Sequence, residues 1–184
     1  MRSETADWQT FFDEVAPRLL LYARQWTSSH ADAEDVVQMA FVRFWRRFPG
    51  GDRKNLPLLY ASVRSIALDL RRSDQRRTAR ESFAETVPGR EDTPFFKSEI
   101  EDSETAHIVQ AALNGLPEEQ REVLTLRLWA GLTFAEVAKI TGQSINTVAS
   151  RYRYAVETLA RRLAPFHDDL AAIPAKTPTD RTLK

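Results

Sequence analysis

The sequence predicts an all-α protein built as two small helical domains joined by an acidic linker. Three observations lead there. Apolar residues recur at three- and four-residue spacing in both halves of the 184-residue chain, without strand-type alternation. Helix-start and turn residues punctuate that pattern at short intervals. The charge is also unevenly divided. Residues 1–80 hold 14 Lys/Arg and 10 Asp/Glu, residues 81–104 hold 2 and 8, and residues 105–184 hold 10 and 8, although the whole chain is neutral. Neutrality as a single number argues against nucleic acid as a partner. Screening over about 8 Å means that distant charges barely cancel, so each basic block is a separate candidate.

Composition excludes several chemistries. Cysteine is absent, which removes disulfides, thiolate metal sites and Cys nucleophiles. The three histidines, His30, His107 and His167, are scattered, and no Gly-rich phosphate loop or paired carboxylate site accompanies them. We therefore expect no catalytic residues, no metal and no cofactor. The polar start and the short apolar runs predict neither a secretory signal nor membrane insertion, and a cytoplasmic location.

The first domain is expected over 5–80. Trp8, Phe11, Phe12 and Val15 form one stripe, Leu19, Leu20 and Ala23 extend it, and Pro17 marks a break or kink. A second helix opens after Ser28-Ser29-His30, with Asp32, Glu34 and Asp35 at its positive end. Val37, Ala40, Phe41, Phe44 and Phe48 make its buried face. Asp35, Gln38, Met39 and Val42 share a different face, where apolar residues beside Asp and Gln suit a partner. The other reading is a wide buried face. Pro49-Gly50-Gly51-Asp52 ends this helix. A third runs from about Pro57 to Arg77, with Leu59, Val63, Ile66 and Leu70 inward. It carries Arg64, Arg71, Arg72, Arg76 and Arg77 against only Asp69 and Asp74. Such density suits phosphate, which Arg binds bidentately, or else marks a solvated C-terminal turn.

Residues 81–104 form the linker, broken by Pro88-Gly89 and Pro94, and its Phe95-Phe96 pair either packs on a neighbouring domain or anchors a partner. The second domain is expected over 105–163. Ile108, Ala111, Ala112 and Leu113 make a short helix ending near Asn114-Gly115, and Leu116-Pro117-Glu118-Glu119 restarts one with Pro in its first turn. Thr133-Phe134-Ala135-Glu136 is a capping box, Gly142 occupies a turn, and Ser144 caps a helix from Ile145 to about Leu163. A short helix, a glycine turn and a longer helix make a helix-turn-helix, whose second helix enters the major groove. Its expected inward face is Ile145, Val148, Ala149, Tyr152, Val156, Leu159 and Leu163. Asn146, Ser150 and Arg151 are assigned to base edges, and Thr147 and Arg153 to phosphates. A solvated helical hairpin is the competing reading. Residues 164–184, with Pro165, Pro174 and Pro178, form an expected disordered tail.

Two of these stretches resemble a known family. Asp32-Ala33-Glu34-Asp35-Val36-Val37-Gln38, with Phe41 and Trp45, resembles the core-binding helix of bacterial sigma-70 factors of the extracytoplasmic-function (ECF) group. Leu116-Pro117, Arg121, Leu124, Gly131-Leu132-Thr133, Glu136-Val137-Ala138, Thr147-Val148-Ala149-Ser150-Arg151 and Ala155 resemble that group's region 4. The resemblance covers about 8–80 and 105–163. It implies a transcription initiation factor that binds core RNA polymerase and directs it to promoter DNA. Asp35, Gln38, Met39 and Val42 would meet the β′ clamp, and region 4 would sit on the β flap. Ser144, Asn146, Thr147, Ser150, Arg151 and Arg153 would face the −35 element. Arg64, Ser65, Arg71, Arg72 and Arg76, with the loop Pro49–Asn55, would bind and open the −10 element. An anti-sigma factor is an implied partner.

The chain departs from the family pattern in places. Ser65 stands where Asn is usual, Leu58-Leu59 where Trp-Leu is usual, and Met39 where an acid is common. Ala149 and Tyr154 replace frequent basic residues, with Arg153 nearby as compensation. Region 4 alone also resembles LuxR-type regulators. The alternative is thus a regulator that binds promoters without polymerase, and the third reading is a helical adaptor that binds only proteins.

Overall fold

The computed structural model describes residues 2–49, 53–81 and 104–166. Among these residues there are seven α-helices and no strand: α1 (Arg2–Ala23), α2 (His30–Arg47), α3 (Leu56–Glu81), α4 (Glu104–Asn114), α5 (Glu118–Leu128), α6 (Phe134–Thr141) and α7 (Ile145–Leu163). Single 3-10 turns occur at Arg53–Asn55 and Ala164–Phe166. Pro88-Gly89, Pro94, Phe95-Phe96, Gly50–Asp52 and the chain beyond Phe166 lie outside the described residues.

Several boundaries differ from expectation. α1 runs through Pro17 instead of breaking there. Proline removes one backbone bond, but buried Val15 before it and Leu19, Tyr22 and Ala23 after it lie in the same core and hold both halves in line. α3 continues to Glu81, four residues beyond the expected end. Pro117 is the N-cap of α5, not part of its first turn. Its carbonyl still accepts from the Gln120 and Arg121 amides, both at 3.0 Å. Pro165 lies within a 3-10 turn that prolongs the helical chain past Ala164.

The first half packs α2 against α3 and α1 around an aromatic core. Trp8 meets Phe11, Phe41, Phe44 and Trp45 with ring centroids 4.3–6.3 Å apart. The buried face of α2 is Ala33, Val36, Val37, Ala40, Phe41 and Phe44. Phe48 is the C-cap and only half-buried. The second half packs α7 across α4, α5 and α6, with a smaller cluster of Leu113, Leu116, Leu124 and Ala155. The two halves do not stand apart. α3 packs against α6, and Val123, Leu126, Val137 and Ile140 belong to the same buried cluster as Tyr60 and Val63. Among the described residues no helix is long and apolar enough to cross a membrane.

Candidate nucleic-acid interface and docking face

The docking face on α2 follows from its cap and period. Ser29 receives the Asp32 amide at 3.1 Å and so sets the start of the helix. With that start, the 3.6-residue period buries Val36, Val37, Ala40 and Phe41 and turns Asp35, Gln38, Met39 and Val42 outward. Met39 is 44% and Val42 48% exposed, which removes the reading of a wide buried face. Trp45, 37% exposed, lies beside them. A groove of about 820 Å³ between α1 and α2 adjoins this face, lined by Trp8, Phe12, Leu20, Phe41, Val42 and Trp45 among others. The aromatic wall of that groove was not anticipated. Its signal was Phe12, which extends the α1 stripe beyond what one buried face can cover.

The helix-turn-helix is built from local bonds. Thr133 and Glu136 form the capping box: the Thr133 amide donates to Glu136 Oε2 at 2.7 Å, and the Glu136 amide donates to Thr133 Oγ1 at 3.3 Å. Gly142 ends α6 with φ 70°, where a side chain would strain the backbone. Ser144 receives the Thr147 amide at 3.1 Å and starts α7. Arg127 donates to the Leu132 carbonyl, and its guanidinium lies 4.7 Å from the Phe134 ring and 6.0 Å from Tyr152. It thereby fastens the loop before α6 to α7.

The inward face of α7 differs from the expected one. Val148 and Ala155 are buried, and Tyr152 and Leu159 are half-buried. Ile145 is 52% and Val156 41% exposed. At about 100° per residue the inward line runs 148, 152, 155, 159, and Ile145 and Val156 fall on its flank. Asn146 and Arg153 are exposed, whereas Thr147, Ser150 and Arg151 are half-buried. The Arg153 guanidinium lies 5.1 Å over the exposed Tyr154 ring.

The arginines of α3 fall into two groups. Arg72, Arg76 and Arg77 are exposed; Arg72 lies 3.4 Å from Asp69, and Arg77 lies 3.4 Å from Asp74. Such exposed pairs contribute about 0–1 kcal/mol. Ser65 is exposed as well. Arg64 and Arg71 point instead into the contact with the second half. Arg64 Nε donates to Glu122 Oε1 at 2.8 Å, Tyr22 Oη donates to the same oxygen at 2.7 Å, and Arg71 donates to Glu118 Oε2 at 2.8 Å. Burial alone would push the Arg64 guanidinium down, but the Glu122 hydrogen bond and charge offset it and its pKa lies above the ordinary value. Burial, aided by Glu122, raises the Tyr22 phenol well above its usual 10.0. Sequence reasoning missed Glu122. The available signal was that Val123, Leu124, Leu126 and Leu128 cover more than one side of α5 and leave little polar face.

The chain resembles known proteins in sequence and in fold. Residues 11–77 match the family model for sigma-70 region 2, and residues 106–159 match that for sigma-70 region 4. The ECF RNA polymerase sigma factor SigL of Mycobacterium tuberculosis is 31% identical over 160 residues, which are 85% of this chain and 89% of that one. The ECF RNA polymerase sigma-E factor of Haemophilus influenzae is 28% identical over 148 residues, 74% of this chain and 77% of that one. The sigma factor RpoE of Bartonella quintana, solved in complex with the anti-sigma factor NepR, shares the fold with a TM-score of 0.62 and 24% identity. The match covers 86% of this chain and 97% of that one.

Proposed function

The chain belongs to the sigma-70 family of RNA polymerase sigma factors, in its ECF group, and from that premise we propose which of its faces perform transcription initiation. As a sigma factor it is a non-enzymatic initiation factor that acts with RNA polymerase. In our reading Asp35, Gln38, Met39 and Val42 dock on the β′ clamp of core polymerase, and α4–α7 sit on the β flap. Ser144, Asn146, Thr147, Ser150, Arg151 and Arg153 meet the −35 element. Arg64, Ser65, Arg71, Arg72 and Arg76 bind and open the −10 element. The protein works in the cytoplasm and is held in check by an anti-sigma factor.

The observation that carries this reading is the pairing, in one chain, of an outward Asp35/Gln38/Met39/Val42 face with a capped helix-turn-helix. A helix-turn-helix alone would equally serve a regulator that ignores polymerase. The exposed apolar residues on α2 have no use in that regulator. An adaptor that binds only proteins would not need a basic α3 or an α7 whose outer side is free of carboxylates from Ile145 to Val156.

Run-off transcription with purified core polymerase and a genomic promoter library tests the reading. Specific initiation from a subset of promoters is expected; none on any promoter overturns it. Asp35→Ala or Gln38→Ala should weaken core binding and leave binding of a −35 duplex unchanged. Equal loss of both activities would refute the assignment of this face.

A further inference from the structure

The first turn of α7 holds an apolar side chain that the fold leaves uncovered. Ile145 is 52% exposed, and it belongs neither to the two buried clusters nor to the apolar residues packed against them. Val148, three residues later, is fully buried. Tyr152 lies two turns beyond Ile145 on nearly the same side of the helix, where the Phe134 ring covers it at 5.5 Å. Helix formation gives no reason for isoleucine at this place. Ser144 caps α7, so Ile145 is its first helical residue. Proline and acidic residues suit a first turn, whereas a β-branched chain loses rotamer freedom in a helix.

The cap also decides which groups of that turn are free. Ser144 Oγ accepts the Thr147 amide at 3.1 Å and lies 2.8 Å from Thr147 Oγ1. The two hydroxyls thus serve one another and the backbone. Ile145 and Asn146 are the exposed side chains of this turn that the cap does not engage. In a helix-turn-helix the N-terminal residues of the second helix are the ones aimed at base edges.

Chemistry then limits what Ile145 reads there. Its side chain neither donates nor accepts a hydrogen bond. The apolar group that base pairs present in the major groove is the C5-methyl of thymine. Ala149 lies one turn later on the same side. Long helical side chains lean back toward the N-terminus, so a lysine or arginine at 149 would lie across Ile145. With alanine there, Ile145 stays open. No carboxylate occurs on α7 before Glu157, so this edge does not repel DNA.

Resting on the reading of α7 as the −35 helix, we propose that Ile145 is a specificity-determining residue. Its exposed side chain packs on the C5-methyl group of one thymine in the −35 element, and Ala149 keeps it uncovered for that contact. Asn146 beside it supplies the hydrogen-bonding part of the same readout. The contact selects a thymine by its methyl group alone, without a hydrogen bond.

The test uses the full chain assembled with core polymerase, on a promoter that it initiates from in the run-off assay. Each thymine of the −35 element, on either strand, is replaced in turn by deoxyuridine, which removes only the methyl. One position should lower promoter affinity about fourfold, the equivalent of about 0.8 kcal/mol for one buried methyl-sized group. Ile145→Ala should bind the unmodified promoter about fourfold more weakly and be indifferent to deoxyuridine at that position. Ile145→Val, which keeps the branched methyls, should retain most of the discrimination. Val156→Ala, at an exposed apolar position about 16 Å further along the helix, should behave as the parent does.

Equal binding of the deoxyuridine promoter by parent and Ile145→Ala is part of the expected result, and it shows that the variant is folded. A scan with no sensitive position overturns the proposal. So does a methyl effect that survives in Ile145→Ala, because another residue then reads the group. Weaker binding of both promoters by Ile145→Ala overturns it too, since Ile145 would then serve a protein contact or the fold. Failure of the sigma reading appears earlier and separately, as absent run-off initiation by the parent chain.

Discussion

The two halves of this molecule secure their working faces by different means. In α1–α3 the core is aromatic: Trp8, Phe11, Phe41 and Phe44 stack edge and face at 5.4–6.3 Å, and long-range ring packing orients α2. In α4–α7 the core residues are mostly aliphatic and the precision is local. Thr133, Glu136, Gly142 and Ser144 fix the starts and ends of α6 and α7 within a few residues of each. The difference teaches where each half is vulnerable. The docking face on α2 depends on the bulk of rings behind it, whereas the helix-turn-helix depends on hydrogen bonds at its turns.

The largest expected effect breaks the aromatic half. Phe44→Ala removes a 4% exposed ring in contact with Trp8, Phe11 and Phe48. It should cost about 3–5 kcal/mol, read by chemical denaturation. Core-polymerase binding should be lost with it, while a −35 duplex is still bound; retained core binding would undo the comparison. Next is Arg151→Ala, expected to cost about 1–3 kcal/mol at one −35 position if its contact is a base edge. A uniform loss across a library of −35 duplexes would make Arg151 a phosphate contact instead.

Smaller is Thr133→Ala, which removes one arm of the capping box and should cost about 1 kcal/mol of thermal stability. Because the cap is local, the rings of the first half should keep their near-UV circular dichroism. A pH-dependent effect belongs to Tyr22, whose hydroxyl is one of the two donors to buried Glu122 at the meeting of the halves. Its pKa is raised in the fold, so its neutral form is favoured there. Its contribution is fully present below pH 10.0, the ordinary value, and is lost as pH rises through the folded pKa. Alkaline melts should therefore show a steeper loss of stability in the parent than in Tyr22→Phe, and equal slopes would remove Tyr22 from the account.

Much of this was legible before the fold was known. The start of α2 to within a residue of His30, the outward turn of Gln38 and Met39, the capping box and the Gly142 turn were all readable, since each depends on residues at most a few positions apart. The inward line of α7 was read less well. Ile145 and Val156 are apolar but flank the line, and Ala155, small and buried, carries no strong signal of its own. The aromatic wall of the groove and the division of the α3 arginines were not legible, because both require knowing which helices become neighbours.

The sequence by itself determined most of the helices, the caps at Thr133, Gly142 and Ser144, and where basic residues concentrate, because hydrophobic period and capping are short-range. Only the tertiary structure decided that the halves close on one another and that Glu122 is buried between Tyr22 and Arg64. In the chain Glu122 is one carboxylate among several on α5, beside Glu118 and Glu119. Its burial rests on donors 58 and 100 residues away. Pairing over that distance depends on the apolar seam shared by α3, α5 and α6, and no local pattern encodes it.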